Sequence, residues 1–353
     1  MRSKRKADHI RHVLENPLTQ ADYSDICILH NCLPKTKVDT INLASKLAGF
    51  TMAAPFFFNA LTGGVAEAAD INRGLARLAK HFNVPMAVGS QKAALDNPKL
   101  AYTYKVVRDV YPQGIIFANI SANSSVADAT AAVEMIQADA LQIHLNAPQE
   151  AMMSEGDRDF SDFKENIGRI CKTLNVPVIV KETGFGMAGE QAGILSKLGA
   201  RALDVGGRGG TNFIEIEAAR KGIRPGELRN MGMATPVSLI ETLEAVGVDV
   251  DVVASGGVNS SHSIVASLCL GACAVGLAAL PLKLLIQEGY DGGIEALEAL
   301  LLEVKTHMAL LGAKGVADLE NVPLILQGDL YLWLTLRGCK PEKYARRNFN
   351  KLS

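Results

Sequence analysis

Eight short apolar runs recur along the chain from Pro55 onward, and stretches with the spacing of helices lie between them. Several runs alternate apolar with polar residues, and most are rich in Val, Ile or Phe, which is typical of strands. They are APFFFNALTGG, VPMAVGSQK, GIIFANIS, ALQIHLN, VPVIVKETG, ALDVGGRGG, VDVVASGG and ACAVGLA. The apolar spacing between them predicts helices over 66–82, 98–111, 126–138, 160–174, 189–198, 236–246 and 260–270.

This alternation predicts an α/β protein with a parallel sheet, because each helical stretch leads from one strand to the next in the same direction. Eight such units with right-handed crossovers can close into a (β/α)8 TIM barrel. An open, doubly wound sheet is the alternative. Most of the runs end in polar or glycine-rich sequence, which favours the barrel, because its carboxyl strand ends all surround one mouth.

A barrel of this kind takes about 250 residues, so the 353-residue chain has room for additions at both ends. We expect a single domain with an N-terminal arm over 1–54 and a barrel core over 55–280. Residues 281–353 would form the last barrel helix and a C-terminal extension. The basic, glycine-containing segment 212–234 follows the sixth strand, and we expect it to be a mobile flap over the mouth.

The fourth run ends in a concentration of polar side chains, QIHLNAPQE. Strand alternation places its apolar residues on one face and Gln142, His144 and Asn146 on the other. Just past the strand, Gln149 adds an amide and Glu150 a carboxylate, which is a ligand for hard metal ions. A segment that only packs in a core would not combine these groups, so the pattern indicates a site.

Two glycine-containing strand ends are typical of a phosphate cradle. Ser255-Gly-Gly-Val-Asn259 follows the seventh strand, and Val275-Gly-Leu-Ala-Ala279 follows the eighth. Glycines let backbone N–H groups approach phosphate oxygens, and the N-terminus of the next helix adds positive potential. Either glycine pair alone could be an ordinary tight turn, but both occupy the positions where barrel enzymes bind phosphate.

Lys181 ends the otherwise apolar fifth strand, VPVIVK, where a lysine needs an anionic partner or an exit to solvent. It either snorkels or pairs with a carboxylate, or it faces a flavin, where a cation stabilises the anionic reduced ring. The ends of the first three strands, NALTGG, GSQK and ANIS, carry small and amide side chains. Such residues suit a flat heterocycle whose edges need hydrogen bonds and whose face needs room.

The chain opens with a basic sequence, RKADHI, directly before a helical pattern over 9–15. Such a start is either a solvated end or a clamp for a polyanion such as a diphosphate. Arg5 offers a bidentate fork and Lys6 a point charge, which together suit phosphate groups.

Composition excludes several classes of partner. The 36 basic and 37 acidic residues leave a net charge of −1, so no overall field attracts nucleic acid or anionic lipid. No apolar stretch is long enough for a membrane span or resembles a signal-peptide core. The six cysteines form no CxxC pair and show no metal-finger spacing, so we expect reduced thiols in a cytoplasmic protein.

Taken together, these motifs resemble the type 2, FMN-dependent isopentenyl-diphosphate delta-isomerases over nearly the whole chain. The resemblance rests on RKADHI, NALTGG, GSQK, QIHLNAPQE, VKETGFG, GGRGGTNF and ASGG. QIHLNAPQE followed by GGRGGTNF is the specific part. The Gly-Gly turns alone are shared with hydroxy-acid oxidases and inosine-monophosphate dehydrogenases.

The resemblance implies roles for individual residues. Arg5 and Lys6 would hold the substrate diphosphate, with His9 close by. Gln149 would lie beside the reacting alkene with His144 and Asn146 nearby, and Glu150 would ligate a Mg2+ that bridges to the diphosphate. The positions implied to contact FMN are Ala60, Leu61, Thr62, Ser90, Asn119, Lys181, Gly206, Thr211, Gly256, Gly257, Ala278 and Ala279. Ser90 would also border the substrate.

The family pattern implies further properties. NADPH would reduce FMN once rather than in each turnover, and the chain has no separate GxGxxG fingerprint after a strand. Copies of the chain would associate into a tetramer or octamer. Within the polar face of the fourth strand, Gln142 lies deepest, so we expect hydrogen bonding inside the barrel rather than catalysis. For His144, an acid–base role and hydrogen bonding to substrate oxygens stay open.

Four positions depart from the family pattern: Leu61 replaces methionine, Lys92 arginine, Gly206 serine and Asn259 arginine. Leu61 keeps an apolar contact, whereas Gly206 removes a side-chain hydrogen bond and Lys92 loses bidentate geometry.

Two other functions are compatible with parts of the sequence. A flavin-dependent oxidase of 2-hydroxy acids would need a histidine base and paired arginines, and Val205-Gly-Gly-Arg208 lacks the histidine. A non-catalytic flavin- or phosphate-binding barrel would leave Gln149, Glu150 and the basic start without a role.

Overall fold

The computed structural model describes residues 2–349, and the side chains of residues 2–7 and 9 lie outside this description. The N-terminal arm consists of the helix α1 (Arg2–Glu15) and the strands β1 (Ile26–Ile28), β2 (Ser45–Leu47) and β3 (Phe50–Met52). β2 and β3 form an antiparallel hairpin. Its two turn residues, Ala48 and Gly49, both have positive φ, as the right-handed twist of a tight hairpin requires.

The barrel strands are β4 (Phe56–Phe58), β5 (Met86–Ala87), β6 (Ile116–Ser121), β7 (Ala140–Leu145), β8 (Val178–Glu182), β9 (Ala202–Asp204), β10 (Asp251–Ala254) and β11 (Ala274–Leu277). They are parallel and form a closed ring, in which the last strand, β11, pairs with the first, β4. The ring confirms the predicted (β/α)8 barrel, and the open doubly wound alternative is wrong.

Alternation along these strands divides the barrel interior into an apolar layer and a polar layer. The lower, apolar layer consists of Phe57, Ala87, Phe117, Ala140, Ile179, Ala202, Val253 and Ala274. The hairpin closes this end, because its fully buried Leu47 and Met52 pack in the same cluster. Two residues further along each strand lie Asn59, Gly89, Asn119, Gln142, Lys181, Asp204, Ser255 and Gly276. This upper layer forms the floor of the barrel mouth.

The helices of the barrel are α2 (Ala66–Phe82), α3 (Lys92–Asp96), α4 (Tyr102–Val110), α5 (Val126–Ile136), α6 (Ala147–Met152), α7 (Phe163–Thr173), α8 (Gly189–Lys197), α9 (Phe213–Arg220), α10 (Thr235–Ala245), α11 (Ser261–Leu270) and α12 (Ala279–Gln287). They confirm the seven predicted barrel helices, with two shifts. The helix predicted over 98–111 is divided, because Asn97 caps a separate 3-10 turn at Pro98–Leu100. The helix predicted from 160 begins at Phe163.

The C-terminal extension consists of α13 (Gly289–Leu311), β12 (Leu324–Leu326), α14 (Gly328–Leu336) and α15 (Glu342–Ala345). β12 pairs antiparallel with β1, with Ile26 opposite Leu326, so the extension is joined to the N-terminal arm. Among residues 2–349, none of the helices is both long enough and apolar enough to cross a membrane. The division into one domain with an arm and an extension stays a prediction.

The segment predicted to be a flap, 212–234, is partly built into the core. Its first half forms α9, whose Ile214, Ile216 and Ala218 are buried. Asn212 caps this helix by accepting from the backbone N–H of Ile214. Closing motion therefore stays a prediction only for the mostly exposed residues 221–232.

The six cysteines are free thiols, in agreement with the predicted reduced state. Cys27 and Cys32 are exposed. Burial raises the pKa of the Cys171 thiol to about 11 and that of Cys269 to about 12. These two thiols stay protonated at neutral pH and are poor nucleophiles.

Candidate active site

Two adjoining clefts open at the mouth of the barrel, above the polar layer. The smaller has a volume of about 800 Å³ and the larger about 1720 Å³, each including the space open to solvent. Ala60, Leu61, Thr183 and Phe213 line both clefts, so the two spaces meet along a shared wall. The arrangement provides a site for a cofactor directly beside a site for a second molecule.

The smaller cleft collects most of the residues predicted to bind the cofactor. Those that line it are Ala60, Leu61, Lys181, Gly206, Thr211, Gly256, Gly257, Ala278 and Ala279. Gly256 has φ +98°, and a Cβ there would lie 2.0 Å from the carbonyl oxygen of Gly207. Gly257 has φ +83°, and its Cβ would lie 2.1 Å from the carbonyl oxygen of Gly209. The loop after β10 therefore requires glycine, which leaves its backbone open to a ligand.

Two further features of this cleft suit an anionic cofactor. Helix α12 begins at Ala279, so its N-terminal N–H groups and positive dipole end lie at the cleft wall. Asn259 also lines the cleft, and its Oδ1 is buried with no hydrogen-bond partner in the described part of the chain. The smaller cleft thus offers the N–H donors and the polar edge that a flat, phosphorylated heterocycle needs.

Three of the predicted cofactor residues lie elsewhere. Ser90 and Asn119 line the larger cleft. Thr62 lines neither cleft; its side chain is buried, and its backbone carbonyl accepts from the N–H of Gly89 at 2.9 Å. The structure therefore brings nine of the twelve predicted cofactor positions to the smaller cleft.

Lys181 is buried and lines the smaller cleft, where its Nζ donates to the backbone carbonyl of Glu182 at 3.0 Å. Between residues 2 and 349, no carboxylate lies within ion-pairing distance of Nζ. This favours the interpretation in which the charge of Lys181 acts on a bound cofactor, and it disfavours a structural ion pair.

The larger cleft collects the residues predicted for catalysis and metal binding: Ser90, His144, Asn146, Gln149 and Glu150. Asn146 precedes α6 and donates from Nδ2 to Glu150 at 2.8 Å, while its buried Oδ1 has no partner among the described residues. The other oxygen of Glu150 accepts from a backbone N–H at 3.1 Å. The short helix α6 therefore holds the carboxylate at the cleft wall.

Gln149 is buried on the same helix, and its Nε2 donates to Glu217 of α9 at 3.2 Å. This bond uses one of the two amide hydrogens and fixes the side chain, so the carbonyl oxygen and the second N–H can contact a ligand in the cleft. Gln142 lies in the barrel interior with no exposure, bonded to Asn59 and Asn119. The prediction of internal hydrogen bonding for Gln142 is confirmed.

The larger cleft is acidic. Its lining includes four carboxylates, on Asp128, Glu150, Glu155 and Asp157, and one lysine, Lys92. Lys92 lies 3.0 Å from Asp96 and 3.9 Å from Asp128, so much of its charge is compensated. In the described part of the chain, no cluster of three or more His, Cys, Asp or Glu side chains could hold a metal by itself. A metal here would take further ligands from a bound molecule or from water.

The side chains of Arg5, Lys6 and His9 lie outside the described residues, so their predicted roles are not tested. The backbone of α1, which carries them, packs against α9 and α12 at the mouth. Asp8 of α1 lies 3.5 Å from Arg220 of α9. The basic start of the chain is therefore beside the clefts.

Sequence reasoning missed several residues that shape the two clefts. Glu217 fixes Gln149, Phe213 and Thr183 form the shared wall, and Asp204 and Glu182 are buried at strand ends. A signal existed for Asp204 and Glu182, because each is a carboxylate that ends an apolar strand run. No local signal marks Glu217, because only the packing of α9 brings it to α6.

The model of the FMN-dependent dehydrogenase family matches residues 105–325, more than half of the chain. An isopentenyl-diphosphate delta-isomerase of Geobacillus sp. (strain WCH70) is 42% identical, over 98% of this chain and 99% of its own. That of Moorella thermoacetica is 42% identical over 94% and 96%, respectively.

Solved structures show the same fold at low sequence identity. A flavocytochrome b2 variant with sulfite bound has a TM-score of 0.68 at 19% identity, covering 91% of this chain and 83% of its own. A mandelate oxidase mutant has a TM-score of 0.61 at 18% identity, covering 92% and 93%. With its full-length curated relatives and its matching family model, the chain belongs to the isopentenyl-diphosphate delta-isomerases and carries the FMN-dependent dehydrogenase domain.

Proposed function

We propose that the chain is an enzyme that interconverts isopentenyl diphosphate and dimethylallyl diphosphate with bound FMN. The observation that carries this function is the pair of adjoining clefts, because a glycine-lined cofactor site directly meets a polar site. The polar site holds Gln149, His144 and Glu150, which the family pattern assigns to substrate and metal. The relatives that match nearly the whole chain are isopentenyl-diphosphate delta-isomerases, which supports the same activity.

The residues of the smaller cleft suit FMN. Gly256, Gly257 and the N-terminus of α12 would hold its phosphate, while Ala60 and Lys181 would border the ring. Bound in reduced form, FMN supplies an N5 position that can donate and accept a proton. The Lys181 ammonium would stabilise negative charge at the ring edge, in a cleft where burial makes that interaction stronger than in water.

The reaction adds a proton to the terminal alkene carbon and removes one from the allylic carbon, with no net redox change. A positioned acid or base typically raises the reaction rate by about 10²–10⁴-fold, which is little for the protonation of an unactivated alkene. Gln149 does not titrate, so its amide, fixed by Glu217, would orient the isoprene unit beside the shared wall. NADPH would be needed to reduce FMN once, and not in each turnover.

The diphosphate needs more positive charge than Lys92, the lysine of the described cleft lining, can supply, because Lys92 is paired with aspartates. Four carboxylates line the larger cleft and would repel a polyanion. Glu150 would therefore ligate Mg2+, which takes one or two carboxylates together with phosphate oxygens and keeps its remaining waters. Arg5 and Lys6, with His9 close by, would clamp the diphosphate from α1.

One assay tests this function against the two alternatives. The protein is incubated with FMN, NADPH, Mg2+ and isopentenyl diphosphate, and dimethylallyl diphosphate is followed together with NADPH. We expect many turnovers per NADPH consumed. If a 2-hydroxy acid reduces the flavin and no dimethylallyl diphosphate forms, the protein is an oxidase. If flavin binds but neither reaction occurs, the protein is a non-catalytic barrel. No arginine among the described residues lines either cleft, which disfavours the oxidase.

Association of copies into a tetramer or octamer and a cytoplasmic location are proposed on the same family pattern. Four large apolar side chains on α14, Tyr331, Leu332, Trp333 and Leu336, are exposed and would be covered by self-association. Light scattering that returns the mass of one chain would contradict the assembly.

A further inference from the structure

We infer that His144 is held in the tautomer protonated at Nδ1 by a chain of buried carboxamides, Asn59, Gln142 and Asn119, that begins at Asp204. These three residues, hereafter the carboxamide chain, act as positioning residues for His144. Nothing in the proposed function assigns them this role. The inference follows from the direction of each hydrogen bond in the polar layer of the barrel.

The orientation of Asn59 is determined by groups that cannot change roles. The backbone N–H of Ala60 is only a donor, and it bonds the Asn59 Oδ1 at 2.8 Å. On the other side, the Asn59 Nδ2 donates to Oδ2 of Asp204 at 2.6 Å. Asp204 also accepts from Ser255 Oγ and from the backbone N–H of Gly206. The amide of Asn59 therefore cannot rotate by 180° without losing bonds at both ends.

Each following amide inherits its orientation from the one before it. Gln142 must place Nε2 toward the Asn59 Oδ1, at 3.1 Å, so its Oε1 points to Asn119. Asn119 must then place Nδ2 toward that oxygen, at 3.1 Å, which leaves its Oδ1 facing His144. The His144 Nδ1 lies 2.9 Å from this Oδ1. Because an amide oxygen only accepts, Nδ1 must carry the hydrogen.

Burial makes this sequence of bonds restrictive. The relative exposures are 0% for Asp204 and Gln142, 2% for Asn119 and 6% for Asn59, so water has little access to replace a reversed bond. A reversed amide would bring two donors or two acceptors together without solvent, which costs on the order of 1–3 kcal/mol for each unsatisfied group. The hydrogen bonds of the carboxamide chain consequently run in one direction, from Asp204 to His144.

The tautomer decides what the neutral ring can do. With Nδ1 protonated, Nε2 is the acceptor, so neutral His144 accepts a hydrogen bond or a proton there. It donates to a diphosphate oxygen only after it has become the imidazolium. This last statement rests on the proposed function, whereas the tautomer itself does not.

The tautomer can be measured by nitrogen NMR on the FMN-loaded protein with ring-¹⁵N histidine. The protein has seven histidines, and the signal lost in His144→Gln identifies His144. We expect a protonated Nδ1 and an unprotonated Nε2 in the neutral ring. A neutral His144 protonated at Nε2 would overturn the inference, whatever the enzymatic activity. Absence of isomerase activity alone would overturn the proposed function and leave this inference intact.

Two variants test whether the carboxamide chain positions His144 or whether its side chains only fill the barrel interior. Gln142→Met matches the length of the side chain but frees Asn119 to turn, so we expect a mixture of both tautomers. Asn119→Asp keeps an acceptor at Nδ1 and adds a charge, so Nδ1 stays protonated and the His144 titration midpoint rises by about one to three pH units. An unchanged His144 tautomer in Gln142→Met, or an unchanged His144 titration midpoint in Asn119→Asp, would contradict the positioning role of the carboxamide chain. If Gln142→Met does not fold, the wild-type tautomer and Asn119→Asp still decide the question.

Discussion

Glu182 shows how burial changes the chemistry of a single side chain at the barrel mouth. It ends β8 beside the smaller cleft with 7% exposure. Desolvation by burial raises the pKa of its carboxyl to about 8, against the opposing influence of N–H donors and Lys181. Its Oε2 accepts from the N–H of Phe185 at 2.6 Å and of Gly186 at 3.1 Å, which orders the loop after the strand.

This raised pKa predicts a pH dependence of stability. The pKa of Glu182 in the folded state lies above the ordinary glutamate value of 4.5, so the folded state binds this proton more tightly than the unfolded state. The associated stability is fully present below about pH 4.5 and is lost as the pH rises through about 8. Glu182→Gln keeps an oxygen for the two N–H donors and cannot ionise. Between these two pH values, we expect the free energy of unfolding to fall less in this variant than in the wild type, by on the order of a few kcal/mol.

Denaturant unfolding of the FMN-loaded protein at several pH values measures this difference. Glu165→Gln serves as the control, because that carboxylate is exposed and its ion pair in the described part of the chain is with the exposed Arg169. The control is expected to follow the wild type. Parallel pH profiles for Glu182→Gln and the wild type would show that Glu182 does not carry the proton.

The residues that sequence reasoning could place are those that follow an apolar strand directly. Strand alternation and the polar run after β7 were sufficient to predict that Gln142 is internal and that Glu150 lies at a cleft. Glu217 could not be predicted in this way, because it reaches Gln149 only through packing between two helices. The side chains of Asp204 and Asn59 ended recognisable strands, but their hydrogen bond crosses the barrel and depends on its closure.

At the scale of elements, α9 connects the N-terminal helix α1 with α6, the helix that carries Gln149. Arg220, at the end of α9, pairs with Glu217, and it bonds Glu155 at 3.1 Å. Its Nε lies 3.5 Å from Asp8 of α1, which is an ion pair but no hydrogen bond. Since Glu217 also binds Gln149, one arginine links the position of α1 to the position of the Gln149 amide.

Arg220→Met is expected to loosen α1 and to disturb Gln149 together. The variant keeps the apolar stem but removes the cation shared by three carboxylates. Without that cation, the three carboxylates repel one another. We expect limited proteolysis within α1 to become faster and kcat/KM for isopentenyl diphosphate to fall by about tenfold or more, equivalent to about 1.4 kcal/mol.

The matched control for this prediction is Arg169→Met. Arg169 also bonds a glutamate on its own helix, but both side chains are exposed and line neither cleft, so the contribution of the pair is expected to be about 0–1 kcal/mol. Equal proteolysis rates in the two variants would show that Arg220 does not hold α1. Faster proteolysis with unchanged kcat/KM would show that Arg220 holds α1 but does not affect the reaction through Gln149.

The barrel elements were predictable because their patterns are repeated eight times, whereas the short strands of the additions at both ends were not. The hairpin β2–β3, which closes the bottom of the barrel, consists of two strands of three residues each. Strand β1 pairs with β12 far along the chain, with Ile26 opposite Leu326. Three residues carry too little periodicity to identify a strand, and only the folded chain brings such partners together.

At the scale of the whole molecule, the net charge conceals an uneven distribution. The chain as a whole carries −1, yet the described lining of the larger cleft has four carboxylates and one lysine that is paired to aspartates. The proposed substrate is a polyanion. Its binding therefore depends on positive charge brought from elsewhere, namely the basic start of α1 and a divalent cation.

We expect Glu150→Gln to raise the Mg2+ concentration needed for half-maximal activity by at least about tenfold while FMN stays bound. Asp157→Asn removes the same charge from the same cleft, and Asp157 lies beside Glu150 through a backbone hydrogen bond. Reduced repulsion alone would help both variants to bind the diphosphate, whereas loss of a metal ligand harms only Glu150→Gln. Activity titrated with Mg2+, together with flavin absorbance after desalting, measures both quantities. A Mg2+ requirement that is the same in the wild type and in Glu150→Gln would remove Glu150 from the metal site, and loss of flavin would place it at the cofactor instead.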